Sequence, residues 1–196
     1  MKKKDVDRFF SELSREWSHP TRILLIGGGE ALLLGGARPT LDVDFEVKFL
    51  AAGLSWDEFV QAVQRVTART GIGAQYSESI ERWGELTLLD YRRHTRPVGV
   101  FGEVELRVLE PAYWSIGKMG RYWDQDIQDM IAVFKREKPD PRSVARVWAR
   151  AIAQSPKSTQ LMLSRRQALH FFKVFGKEIW GQAFSSEPIQ KLFQTP

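Results

Sequence analysis

Apolar residues recur at helical spacing at the start of the chain, where Val6, Phe9, Phe10, Leu13 and Trp17 share one face of residues 1–17 and His19-Pro20 closes the segment. The unbroken apolar run over residues 21–26 has the length of a strand and the composition of one buried on both faces. A triple-glycine turn follows at Gly27-Gly28-Gly29, then a short leucine-rich helix over residues 30–34, ending at Gly35-Gly36. Residues 41–47 alternate, placing Asp42, Asp44 and Glu46 on one strand face and Leu41, Val43, Phe45 and Val47 on the other.

Residues 55–70 form an amphipathic helix opened by Ser55, with Glu58 in capping-box spacing, and stopped by Gly71. Residues 73–80 and 84–91 read as strands, the second carrying Asp90 near its end. A loop rich in Arg, His and Pro over 92–97 leads to a last strand pair around 98–108. From Pro111 the pattern turns helical: 111–122, 124–136, then 141–153 with Asp140 as N-cap and Pro141 in the first turn, and one or two helices from Ser164 onward. The fold expected is α+β, a mixed β-sheet flanked by helices with a helical C-terminal extension. The segment Lys138-Pro139-Asp140-Pro141 is the one convincing linker, dividing residues 1–138 from 139–196.

Composition narrows the class. The chain has 196 residues, 43% hydrophobic and 27% charged, which suits a globular protein with a substantial core. No apolar run approaches the roughly 20 residues that span a bilayer, and the first residues lack the apolar segment of a secretory signal, so no membrane partner is expected. With no cysteine, disulfides, thiolate zinc sites and cysteine nucleophiles are excluded, which fits a cytoplasmic protein. Residues 135–196 hold 12 Lys and Arg against 4 Asp and Glu, net +8, while residues 1–134 hold 17 against 20, net −3. An acidic half joined to a basic one suits a polyanionic partner.

The candidate chemistry sits in residues 23–47. Asp42 and Asp44 leave one strand face roughly 6.5 to 7 Å apart, where two carboxylates can hold hard divalent cations that bring phosphate oxygens with them. A phosphate-cradling P-loop would need Gly-Lys-Ser/Thr after its glycines, and the dinucleotide fingerprint would need glycine at Leu32; neither is present. His19, His94 and His170 share no metal-ligand spacing. Arg142, Arg146 and Arg150 recur every four residues as a basic stripe, continued by Arg165, Arg166, Lys173 and Lys177, which suits RNA.

Gly28-Gly29 followed by Asp42-Val43-Asp44 resembles the DNA polymerase β-like nucleotidyltransferase superfamily. More closely, GGEALLLGGARPTLDVDFEV is similar to small prokaryotic nucleotidyltransferases of the AbiEii type, toxins of abortive-infection and toxin-antitoxin systems, in which GG-x-AL, Arg-x-Thr and Asp-hydrophobic-Asp stand in this order. The resemblance covers about residues 23–134. It implies a third carboxylate on a later strand, for which Asp90 is favoured and Glu103 and Glu105 are the alternatives. It also implies a helix reading Lys and then Asp-x-x-Asp, matched by Lys118, Asp126 and Asp129.

That resemblance implies a magnesium-dependent nucleotidyltransferase that moves a nucleoside monophosphate from an NTP to RNA, such as tRNA, or to a protein hydroxyl, as a toxin neutralised by an antitoxin. Asp42, Asp44 and Asp90 are the expected ligands of two Mg²⁺ ions. Gly28 and Gly29 let backbone amides approach the phosphates. Arg38, Lys118 and Asp126 are the expected nucleotide-binding or orienting groups. Glu30 departs from the family pattern, because a carboxylate facing phosphates would repel them, and it is expected to point outward. The alternative is a catalytically inactive module of the same fold that binds RNA or a partner protein. Transfer to a small molecule such as an aminoglycoside is a third reading, disfavoured by the basic C-terminal half.

Overall fold

The computed structural model describes residues 1–36, 38–80, 82–83, 86–87 and 90–193, with only the backbone of 82 and 83. The fold is α+β, and the chain divides into two compact units. The first is Met1–Leu33, Arg38–Ile80 and Thr95–Leu109; the second is Leu34–Ala37, Glu81–His94 and Glu110–Pro196. The expected break between residues 138 and 139 lies inside the second unit. Among the described residues no helix is long and apolar enough to cross a membrane.

The first unit is a mixed five-stranded sheet with helices on one face. Its elements are α1 (Lys3–Glu16), β1 (Thr21–Ile26), the start of α2 (Gly27–Leu34), β2 (Asp42–Phe49), α3 (Trp56–Thr70), β3 (Gly73–Ser77), β6 (Thr95–Phe101) and β7 (Val104–Leu109). The strand order is β3-β2-β1-β7-β6. β1 runs antiparallel to β2 and parallel to β7, β2 is parallel to β3, and β6 is antiparallel to β7. Val6, Phe9, Phe10 and Leu13 of α1 are wholly buried, and the rings of Phe9 and Phe10 lie 6.2 and 5.7 Å from Phe45 on β2. α3 starts where Ser55 accepts a hydrogen bond from the Glu58 amide and ends at Gly71 in the left-handed region, φ 69°. Its Phe59 packs on Phe49 and Tyr76. The apolar face of β2, Val43, Phe45 and Val47, is thus the core, and the carboxylate face is the other one.

The second unit is helical, with a short antiparallel ribbon of β4 (Arg82–Trp83) and β5 (Leu86–Thr87). Its helices are α4 (Pro111–Arg121), α5 (Asp124–Glu137), α6 (Pro141–Gln154), α7 (Thr159–Trp180) and α8 (Glu187–Gln190). Trp148 is fully buried and donates its indole N–H to Ser115 Oγ at 2.8 Å, while Phe134, Phe171 and Phe172 ring it. Asp140 caps α6 as expected, accepting from the Ser143 amide at 2.8 Å.

Several boundaries differ from the sequence pattern for physical reasons. α2 starts at Gly27 rather than residue 30, because one residue at φ 65° turns the chain and the next enters the helix directly. β6 begins at Thr95, since its pairing with β7 carries Arg96 and Pro97 into the sheet with a register shift between Pro97 and Gly99. α7 is one 22-residue helix starting at Thr159, where Ser158 accepts from the Leu161 amide. Of the strand expected over residues 84–91, β5 keeps Leu86 and Thr87, Asp90 and Tyr91 lie beyond it, and residues 84, 85, 88 and 89 are outside those described.

Candidate active site

The end of β1 and the start of β2 meet where α2 begins. Asp44 pairs across the sheet with Ile26, and Gly27 follows at once as the first residue of α2. A Cβ on Gly27 would stand 2.7 Å from Asp44 Oδ2, and its φ of 65° is in the left-handed region, so both space and backbone require glycine there. Gly28 is constrained by space alone, for its Cβ would fall 2.6 Å from Thr40 Oγ1. A Cβ on Gly29 would press on Leu25 at 3.2 Å. Packing against Thr40 therefore favours glycine at 28, while at 29 a side chain would need Leu25 to give by a few tenths of an ångström.

Asp42 and Asp44 leave the same face of β2 and are both half-buried. Asp42 Oδ2 accepts a hydrogen bond from Gln75 Nε2 at 2.9 Å, Gln75 being the β3 residue opposite Asp44. The loop before β2 is held by Thr40, whose carbonyl accepts from the N-terminal ammonium at 2.8 Å. Glu46, third in the row, is buried and accepts the Ile80 amide at 3.1 Å, so it serves the backbone. Arg38 is exposed two residues before Thr40.

Glu30 does not point outward. It is fully buried on α2, and its Oε1 accepts the amide of Leu109 at the end of β7. Its carboxylate is thus directed to the end of β7 rather than to solvent.

The expected third carboxylates scatter. Asp90 is exposed in the second unit, outside the five-stranded sheet, at φ 60° before a single 3-10 turn (Tyr91–Arg93). Glu105 pairs in register with Arg22, four residues from Ile26 on β1 and so about 13 Å along the strand. Its carboxylate bonds Arg22 Nε at 2.7 Å and Arg107 Nη1 at 2.5 Å. Burial raises the Glu105 carboxyl, and those two guanidiniums outweigh burial and hold it below its ordinary range. Glu103 is exposed in the β6–β7 turn, at that same far end. Within the sheet neither glutamate reaches the aspartate pair.

Lys118, Asp126 and Asp129 come together as a closed group inside the second unit. Lys118 is 2% exposed, with its Nζ 2.9 Å from Asp126 Oδ1 and 2.7 Å from Asp129 Oδ2. Arg121 adds two bonds to Asp126, at 2.8 and 3.1 Å. Burial pushes the Asp126 carboxyl up, but hydrogen bonds from Arg121 and Lys118 prevail and keep it below its usual value. The three arginines of the stripe are all exposed, but Arg150 alone of them donates to Tyr113 Oη, at 2.5 Å, and lies over that ring.

As a donor set, two half-buried carboxylates on one strand face fit a hard divalent cation such as Mg²⁺, which binds through one or two carboxylates and keeps water or phosphate oxygens for the rest. Among the described residues no group of three or more His, Cys, Asp or Glu side chains is arranged to hold a metal ion. No known family model, curated protein or solved structure matches the chain.

Proposed function

We propose that the protein is a nucleotidyltransferase that takes a nucleoside monophosphate from an NTP, with Asp42 and Asp44 as the ligands of its Mg²⁺. The observation that carries this is Asp44 packed on the Cα of Gly27, which sets a carboxylate pair beside the first turn of a helix. The first amides of any helix lack acceptors within it and favour anions; those of Gly28 and Gly29 are offered to the triphosphate. When bound, divalent ions align an attacking hydroxyl and offset the charge of the departing pyrophosphate. Asp42 is held by the amide of Gln75, and Asp44 lies close against Gly27, where no side chain stands in its way. Two ligands come from the sheet, and Asp90→Ala tests whether a third comes from outside it.

The acceptor in this reading is RNA, on the strength of the basic C-terminal half, with a protein hydroxyl as the second candidate. A role as a cytoplasmic toxin restrained by an antitoxin rests on the resemblance of residues 23–134 alone. The purified chain, incubated with labelled NTPs, magnesium and total RNA, is expected to transfer label, and Asp44→Asn to abolish transfer with an unchanged thermal melt. A folded wild type that labels nothing with any of the four nucleotides would sink the reading.

One observation favours the inactive alternative, a module that binds RNA or a partner protein. Lys118, the cation expected at the phosphates, is enclosed by Asp126 and Asp129. Lys118→Met decides its part: if Lys118 acts on nucleotide, transfer falls further than stability accounts for.

A further inference from the structure

Several cations of the second unit border three hollows that share lining residues. One, of about 280 Å³, has Lys173 and Lys177 in its wall. A second, of about 340 Å³, is lined by Arg142, Arg146 and Lys191, and it shares Glu187 with the first. A third, of about 570 Å³, shares Leu192 with the second. Its lining is mostly apolar, with Ile152, Leu161, Met162 and Phe193, and it includes Lys157 and Arg165. Seven basic side chains thus border the row, and Glu187 is the one acid among the residues lining these three hollows.

Charge of one sign on connected concave surface selects a polyanion. Arg142 with Arg146, and Lys173 with Lys177, are i, i+4 neighbours about 6 Å apart on their helices, a step suited to successive phosphates of one strand. The third hollow adds what phosphate alone does not need. Met162 is 62% exposed beside Leu161 and Phe193, an apolar site of ligand size, within the roughly 300 to 1,000 Å³ of small-molecule pockets. A duplex keeps its base faces stacked inside, whereas a single strand can lay a base on such a floor.

We propose that this row is a track for single-stranded nucleic acid, with phosphates along Lys173, Lys177, Arg142, Arg146 and Lys191 and one unstacked base in the Leu161–Met162–Phe193 hollow. It deepens the nucleotidyl-transfer reading by giving the acceptor a site, and rests on that reading only for the strand's role as acceptor. Arg150, turned to Tyr113, lines none of the three hollows, whereas Lys191 lines the one that holds Arg142 and Arg146.

The test is fluorescence anisotropy of a labelled oligouridylate with the full chain, without NTP. Binding is expected to weaken with salt at a log–log slope of about −3.5, for five contacts at roughly −0.7 each. Arg142→Ala/Arg146→Ala should weaken it about tenfold and flatten the slope by about 1.4. Lys3→Ala/Lys4→Ala removes the same charge from exposed positions of the first unit and should change little. Met162→Glu should weaken binding without a matching loss of salt dependence, and a duplex of equal length should bind less tightly.

Equal weakening by the two double variants reduces the effect to net charge and overturns the track. A duplex that binds as well as the single strand, or polyglutamate that competes as well as RNA, overturns it in favour of duplex or acidic-protein docking. Transfer of label to acceptors without RNA binding would remove the track and leave nucleotidyl transfer standing; RNA binding without transfer would do the reverse.

Discussion

Oδ2 of Asp44 lies where a side chain on Gly27 would begin, 2.7 Å from the position of a Cβ built on that glycine. The turn into α2 and the second aspartate of β2 are therefore one packed unit, and a residue type that looks like a flexible bend is fixed by a carboxylate.

Gly27→Ala should cost more stability than the same change at Gly71. Both glycines have φ near 65 to 70°, but a Cβ at Gly71 meets nothing within 4 Å. Gly71→Ala pays the backbone term alone, about 1 kcal/mol, and Gly27→Ala pays that plus displacement of Asp44. Denaturant unfolding of the two variants gives the difference, and equal losses would mean that Asp44 does not confine the glycine.

Glu30→Ala should destabilise the first unit by about 1 to 3 kcal/mol, since it leaves the buried Leu109 amide without its acceptor. Glu30→Gln keeps an acceptor oxygen and should be milder. Neither should tighten NTP binding; a marked gain in affinity with Glu30→Gln would show that the carboxylate faces phosphate after all.

Lys118→Met should destabilise the chain by about 3 to 5 kcal/mol, because it removes the buried cation that bridges Asp126 and Asp129 and leaves their charge less compensated in the interior. Adding Asp126→Asn and Asp129→Asn to the same chain should recover much of that loss. A single variant as stable as wild type would place the lysine outside any buried ion pair.

Acid should act through the same group. With its folded-state pKa depressed, Asp126 contributes stability that is fully present above the unfolded carboxyl range of about 4 and is lost as pH falls through the lower folded value. The gap in melting temperature between wild type and Asp126→Asn should be widest near neutrality and shrink below about pH 4. A gap that stays constant into acid would contradict the pairing.

Local pattern made most of the first unit legible. The apolar run of β1, the alternation of β2 and the capped ends of α3 are all written in residues a few positions apart, as is the cap of α6 in the second unit, and the pleat alone put Asp42 and Asp44 on one face. What was not legible depends on distant partners. The parallel pairing of β7 to β1 sends Glu105 to the far end of the sheet and brings the Leu109 amide to Glu30, and nothing near either glutamate in sequence signals it. The i, i+3 spacing of Asp126 and Asp129 was visible, but it reads the same for a ligand pair and for an ion pair, and the burial of Lys118 between them was not written in that spacing. The arginine period was visible too, yet Arg150 follows Tyr113, a partner 37 residues away.

Calorimetry with a non-hydrolysable NTP, with and without Mg²⁺, bears most directly on the aspartate pair, because it reads binding without requiring the acceptor. Wild type should bind nucleotide only with magnesium, and Asp42→Asn/Asp44→Asn should lose that binding while keeping the wild-type melt. Equal heats with and without the metal, or a double variant that binds as wild type does, would contradict a role for these carboxylates in holding a cation.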